Sequence, residues 1–224
     1  MRNILMKQLK LCLVTNIKAD LTSYSETVRR AALGGITMVQ LREKHHDINH
    51  IKEKALFLKN ILRPLGIPLI INDYVELAAE IDADGVHIGQ QDMPVKVARK
   101  ILGANKIIGL SIESFDELYE ANNQPDISYV TASAVFPSIT KVDCKKIWGI
   151  DNLKTLVTES SHPITAIGGI NSTNAPEVFN AGVCGIAVVN AIQNALDPYK
   201  AAKELMESAN HNGCSTPTKL GNRI

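Results

Sequence analysis

Eight short apolar runs rich in isoleucine and valine recur along this chain, each followed by a stretch of helical periodicity. They repeat at intervals of roughly 20 to 30 residues, the spacing of successive βα units. Runs such as Pro68-Leu69-Ile70-Ile71 and Ile107-Ile108-Gly109-Leu110 are apolar at nearly every position. A strand of that kind has no face to give to water and must be covered on both sides, as parallel strands joined by helices are. The expected strands are 9–15, 38–42, 69–72, 85–88, 106–111, 129–134, 164–167 and 185–189. The expected helices are 25–33, 48–62, 75–81, one opened by Pro94, then 116–121, 152–158, 175–181 and 199–208. Local signals agree: Ser23 or Ser25 can cap the first helix, Gly34-Gly35 ends it, and Pro64 stops the second. Eight units in about 200 residues predict an α/β fold, a single-domain (β/α)8 TIM barrel. A doubly wound open sheet is the competitor, but Thr15-Asn16-Ile17-Lys18 follows the first strand where a glycine-rich fingerprint would stand. The barrel is expected over residues 1–209. The polar segment 210–224, with Gly213, Pro217 and Gly221, is expected to be a disordered tail.

Composition narrows the function. A formal net charge of +1 leaves no electrostatic footprint for nucleic acid or an anionic membrane, so any anion binding must be local. The first 13 residues mix lysine and arginine with isolated apolar residues, unlike a signal peptide, and no apolar run approaches the roughly 18 residues of a membrane span. A cytoplasmic protein is expected. Cys12, Cys144, Cys184 and Cys214 are scattered and form no CxxC pair, which argues against a zinc site and a disulfide framework.

Barrel active sites lie at the C-terminal strand ends, so polar residues there form one set. Gln40-Leu41-Arg42-Glu43-Lys44 ends strand two, and alternation puts Gln40, Arg42 and Lys44 on one face. A guanidinium fork, an ammonium and an amide together suit a phosphate or diphosphate; the alternative is a solvated charged strand end. Strand three ends in Asn72-Asp73, and strand four in His87 with Asp92 beyond it. Two carboxylates near bound phosphates suit Mg2+, although either aspartate could instead cap the following helix. His87 is expected to be a hydrogen-bonded interior residue. Strand five ends in Ser111. The loop after strand six carries Ser138, Thr140 and Lys141. Gly168-Gly169 lets backbone amides approach a ligand, or simply makes a tight turn, and Val189-Asn190 ends strand eight. The cationic cluster suits a diphosphate leaving group, and the amide-built cluster suits a monophosphate handle.

The ordered set Gln40-Leu41-Arg42-Glu43-Lys44, Ile71-Asn72-Asp73, Val86-His87-Ile88-Gly89-Gln90 with Asp92, Gly109-Leu110-Ser111, Phe136-Pro137 with Thr140-Lys141, and Ile167-Gly168-Gly169-Ile170 resembles the thiamine phosphate synthase family over about residues 9–208. The resemblance implies a Mg2+-dependent transferase of an alkyl group other than methyl. It would join hydroxymethylpyrimidine diphosphate to hydroxyethylthiazole phosphate through a carbocation. It further implies that Gln40 contacts the pyrimidine and that Arg42, Lys44, Asn72, Ser111 and Lys141 hold the diphosphate. Asp73 and Asp92 would bind Mg2+, and Ser138, Thr140, Gly168, Val189 and Asn190 would surround the thiazole phosphate. The implied partners are these small molecules, with a homo-oligomer left open.

Three departures from the family pattern stand out. Ser138 replaces a usual threonine, Asn190 a usual serine, and Thr131-Ala132-Ser133-Ala134 is bulkier than the glycines usual on strand six. A related thiazole tautomerase shares the barrel, but its proton-transferring histidine would stand where this chain has Glu113. A non-catalytic thiazole phosphate binder would have no need of paired metal-holding aspartates.

Overall fold

The computed structural model of the chain describes residues 2–15, 21–43, 47–137 and 147–210. All eight strands form: β1 (Leu11–Val14), β2 (Met38–Leu41), β3 (Leu69–Asn72), β4 (Gly85–Ile88), β5 (Ile107–Ile112), β6 (Tyr129–Ser133), β7 (Ile164–Ile167) and β8 (Gly185–Val188). Each pairs in parallel with the next, and β8 pairs with β1 to close the barrel.

The helices are α1 (Arg2–Gln8), α2 (Leu21–Gly34), α3 (Ile48–Leu62), α4 (Val75–Glu80), α5 (Val95–Leu102), α6 (Phe115–Asn122), α7 (Gly149–Glu159), α8 (Ala175–Asn180), α9 (Asn190–Gln193) and α10 (Pro198–Asn210). α3 stops at Leu62, and Pro64 falls in the 3-10 turn Arg63–Leu65 that follows, as the sequence predicts. Gly35, just past α2, adopts φ +107°, a region glycine enters without cost. α2 does not begin at the serines expected to cap it. Buried Tyr24, Val28 and Ala31 set its apolar stripe, so the helix starts earlier, at Leu21, and Ser23 and Ser25 lie inside it.

The period of two divides the core. Leu13, Val39, Leu41, Ile71 and Val86 point outward and pack with helix residues such as Val28, Leu58 and Ala98. Cys12, Val14, Met38, Ile70, Tyr129 and Ala187 point inward and form a separate cluster with Leu9. Fully burying one such aliphatic side chain is worth about 1.5–3 kcal/mol. α1 was not expected; its seven residues carry little periodic signal. Its Leu5 packs on the inward cluster, and Thr37 ties the segment down by donating its hydroxyl to the Gln8 carbonyl at 2.8 Å.

α10 runs to Asn210, and the rest of the predicted tail lies outside the described residues. Among the described residues, no helix is long and apolar enough to cross a membrane. Cys12 is a buried free thiol, whereas Cys184 is disulfide-bonded, which corrects the expectation that the scattered cysteines form no disulfide. Linear spacing does not reveal which cysteines folding brings together.

Gly85 sits where β4 meets β5. A Cβ there would land on the Ile107 carbonyl oxygen and lie 2.7 Å from the Ile107 Cβ. Gly85→Ala is expected to destabilise the protein by about 2 kcal/mol or more, since backbone of the ladder cannot give way. Thermal unfolding should show a melting temperature lower by about 4 °C or more.

Candidate active site

Strand register brings the predicted residues together. Gln40 on β2, Asn72 on β3, His87 on β4 and Ser111 on β5 all take inward positions near the C-terminal strand ends. With Arg42, Asp73 and Asp92 they line one cavity of about 310 Å3 that reaches down to Leu9 and Met38. Gln40 Nε2 donates to Asn72 Oδ1 at 2.6 Å. That bond fixes both amides and leaves the Asn72 amide nitrogen as a donor to the cavity. The backbone N–H of Arg42 donates to Thr15 Oγ1 at 2.9 Å, anchoring the turn out of β2.

Neither aspartate caps a helix. The N-cap residues of α4 and α5 are Tyr74 and Pro94, without side-chain capping bonds. Asp73 instead adopts φ +66°, a conformation costly for most side-chain-bearing residues but more accessible to aspartate. Asp92 Oδ2 accepts from the Gly89 N–H at 2.7 Å. The pair supplies hard oxygen donors to the cavity that Arg42 also lines. Among the described residues no cluster of three or more His, Cys, Asp or Glu could hold an ion by protein groups alone. These two carboxylates fit Mg2+, which completes its shell with water and phosphate oxygens.

A second cavity of about 430 Å3 is lined by Pro137, Gly168, Gly169, Asn171, Val189 and Asn190, among others. It shares Val14, Arg42, Ser133, Ile167 and Ala187 with the first. Both readings of Gly168-Gly169 hold at once. The two residues turn at φ +104° and +65°, and a Cβ on Gly169 would lie 2.6 Å from the Pro137 carbonyl. The glycines thus let the chain after β6 press against β7, with Phe136 N–H donating to the Gly168 carbonyl at 3.1 Å. They also line the second cavity. Lys44, Ser138, Thr140 and Lys141 lie outside the described residues.

Sequence reading missed several groups. Thr131 and Thr165 line the first cavity, their hydroxyls 2.8 Å apart. Gln90 Nε2 donates to the Ser111 carbonyl at 2.7 Å and steadies the end of β5. Glu113 and Glu117 also line the cavity; Glu117 takes the Glu113 N–H at 2.6 Å, while its own N–H donates to Ser114 Oγ at 3.2 Å. The Ser114-x-x-Glu117 pattern was the signal for that arrangement. Glu43 is not a solvated strand-end charge. It is buried and pairs with buried Lys54 of α3 at 3.2 Å, on the side of β2 opposite Gln40 and Arg42.

The cysteine that lines the first cavity is no nucleophile: burial pushes the Cys12 thiol up to about 12, so it stays neutral. What the rim offers is donors, a cation and hard oxygens, the groups with which (β/α)8 barrel enzymes handle phosphorylated ligands. Comparison makes the assignment particular. A family described as thiamine monophosphate synthase matches residues 11–192, and the chain belongs to it. A thiamine-phosphate synthase of Vibrio parahaemolyticus is 50% identical over 201 residues, covering 90% of this chain and 98% of the relative. One from Chloroflexus aurantiacus is 43% identical over 82% of this chain and 84% of its own length. The solved thiamine phosphate pyrophosphorylase of Pyrococcus furiosus superposes with a TM-score of 0.83 at 36% identity, covering 92% of this chain and 98% of that one.

The Glu43–Lys54 pair gives a direct test of how the Arg42 segment is held. Lys54→Ala removes the cation that pairs with the buried Glu43 carboxylate and is expected to cost about 3 kcal/mol. The double variant Glu43→Leu/Lys54→Met should recover part of that loss, read from urea unfolding curves.

Proposed function

We propose that the chain joins 4-amino-2-methyl-5-(hydroxymethyl)pyrimidine diphosphate to 4-methyl-5-(2-phosphooxyethyl)thiazole, giving thiamine phosphate and diphosphate. The observation that carries this reading is the position of Arg42, which lines both cavities. A group-transfer enzyme with two phosphorylated substrates needs a leaving-group site and an acceptor site that meet, and these two pockets share a wall. Family membership supplies the identity of the heterocycles.

The chemistry is a dissociative substitution. The bond between the pyrimidine methylene carbon and the bridging diphosphate oxygen breaks, its electron pair leaving with diphosphate. The ring-stabilised carbocation is then captured by the lone pair of the thiazole nitrogen, forming the new C–N bond. No enzymic nucleophile takes part; the protein must stabilise charge that builds on the departing oxygens. Arg42 meets that charge with a planar fork. Asn72, its oxygen occupied by Gln40, presents N–H, and Ser111 presents a hydroxyl from the neighbouring wall. Lys44 and Lys141 add mobile positive charge in this reading. Gln40 meets the pyrimidine, and Ser138, Thr140, Gly168, Val189 and Asn190 receive the thiazole phosphate. Asp73 and Asp92 would hold Mg2+, which neutralises diphosphate oxygens as a Lewis acid when bound. The near-neutral charge fits a cytoplasmic enzyme whose partners are small molecules.

Incubating both phosphorylated heterocycles with the protein and Mg2+, then oxidising the product to a fluorescent form, tests the assignment. Folded protein that yields no signal refutes it. In the same assay Arg42→Ala should lower kcat/KM by about 10²-fold or more. Chelation by EDTA should abolish turnover and excess Mg2+ restore it; turnover unaffected by EDTA would remove the metal from the scheme.

A further inference from the structure

Three adjacent strands share a hydrogen-bonded chain of which the chemistry above uses only the end, Ser111. Tyr129 on β6 reaches across to His87 on β4, its phenol oxygen 3.0 Å from Nδ1. The other ring nitrogen, Nε2, lies 2.8 Å from Ser111 Oγ on β5. Gly109 makes the bridge possible. It stands in register with both His87 and Tyr129, and a Cβ there would sit 2.5 Å from Nδ1 and 2.5 Å from the phenol oxygen. A glycine on the middle strand therefore lets side chains of the two outer strands touch.

The protons in this chain have a direction. Tyr129 and His87 are 3% and 6% exposed. Burial holds the phenol well above its ordinary titration range, so it keeps its proton. A buried O–H must donate, and the hydrogen-bond partner of this phenol among the described residues is Nδ1. With Nδ1 accepting, a neutral imidazole carries its proton on Nε2 and donates it to Ser111 Oγ. That oxygen already accepts, so its own proton is released toward the cavity lined by Arg42, Asn72 and Asp73. The opposite polarity would bury the phenol proton without an acceptor and turn the serine proton inward.

We infer that Tyr129 and His87 are positioning residues, which act in series to hold the Ser111 hydroxyl as an oriented donor to an oxyanion in the cavity. The inference deepens the proposed function and rests on it for the identity of that oxyanion, a diphosphate leaving group. A hydroxyl already turned toward the charge needs no reorientation as the bond breaks, which is where a fixed donor outperforms a rotating one.

The test is a double-mutant cycle on Tyr129→Phe and Ser111→Ala, with two readouts: kcat for thiamine phosphate and the calorimetric affinity for inorganic diphosphate with Mg2+. Tyr129→Phe is expected to lower kcat about tenfold and weaken diphosphate by a similar factor, with the KM for thiazole phosphate unchanged. Ser111→Ala should cost about a hundredfold in kcat, and the double variant should lie within about twofold of it. Equal losses from Tyr129→Phe in the wild-type and Ser111→Ala backgrounds would show a merely structural tyrosine and overturn the inference, as would an unchanged single variant. If Tyr129→Phe fails to fold, His87 supplies the comparison. His87→Gln keeps a donor toward Ser111 and should retain about a third or more of kcat, whereas His87→Leu should fall to the Ser111→Ala level; equal losses overturn the proposal. Diphosphate binding keeps the two readings separate: a wild type that makes no product strikes the assigned reaction, while the binding cycle still decides whether Tyr129 acts through Ser111.

Discussion

Because successive side chains of a β-strand point to opposite faces, closing eight parallel strands into a ring sorts each strand into an outward set and an inward set. The outward set meets only helices and is uniformly apolar, as the runs through Leu41, Ile71 and Val86 are. The inward set meets other strands and whatever enters from the rim. A shift of one residue in any strand would exchange the two sets. In β2 it would send Gln40 and Arg42 into the helix layer and Leu41 into the site. Register is thus the constraint that both the core and the chemistry depend on, and burial of the outward set enforces it.

Within the barrel the inward face is divided. On β8, β1 and the lower part of β2 it is lined by Ala187, Cys12, Val14 and Met38, an apolar wall continuous with Leu9. From β4 to β7 it carries His87, Ser111, Tyr129, Thr131, Ser133 and Thr165. Polar groups this deep destabilise a core by about 1–3 kcal/mol each when left unpaired. Here Thr131 pairs with Thr165, and His87 bridges Tyr129 and Ser111, so much of the polar wall satisfies itself. The cavity thus has one apolar side on which a ligand could pack and another that is already hydrogen-bonded within itself.

The strand pattern was legible in the sequence because every run had to be apolar on one face at least. β3, β4 and β7 were read to the residue, and the others shift by one to two positions at their ends. The positions of Gln40, Arg42, Asn72, Asp73, Asp92 and Ser111 followed from alternation and from the rule that barrel sites lie at C-terminal strand ends. What escaped depends on side chains meeting across the ring. Nothing in the spacing of His87, Gly109 and Tyr129 announces that an absent side chain on β5 joins its neighbours. Glu43 looked solvated because it stands between two cations in sequence, and only the packing of α3 brings Lys54 over it. α1 escaped for a different reason: about two turns with a single face against the barrel leave too little periodicity to detect.

Charge, too, is arranged locally rather than globally. With a net of +1, the field of the whole protein offers little steering toward anionic ligands, so selection must happen at contact distance. At that range the choice of cation matters. An ammonium at the common wall of the two cavities would serve whichever anion it met first, as a point charge free to follow it. Arg42 stands on the turn out of β2, where its backbone N–H is tied to Thr15, and its planar guanidinium offers a fork matched to paired anion oxygens. Because Arg42 lines both cavities, the same group stands at their common wall, so in the proposed reaction a departing anion and an incoming heterocycle would meet it from two sides. In the proposed reaction a carbocation would last only until the thiazole nitrogen captures it, so closeness of the two sites at that common wall matters more than the affinity of either.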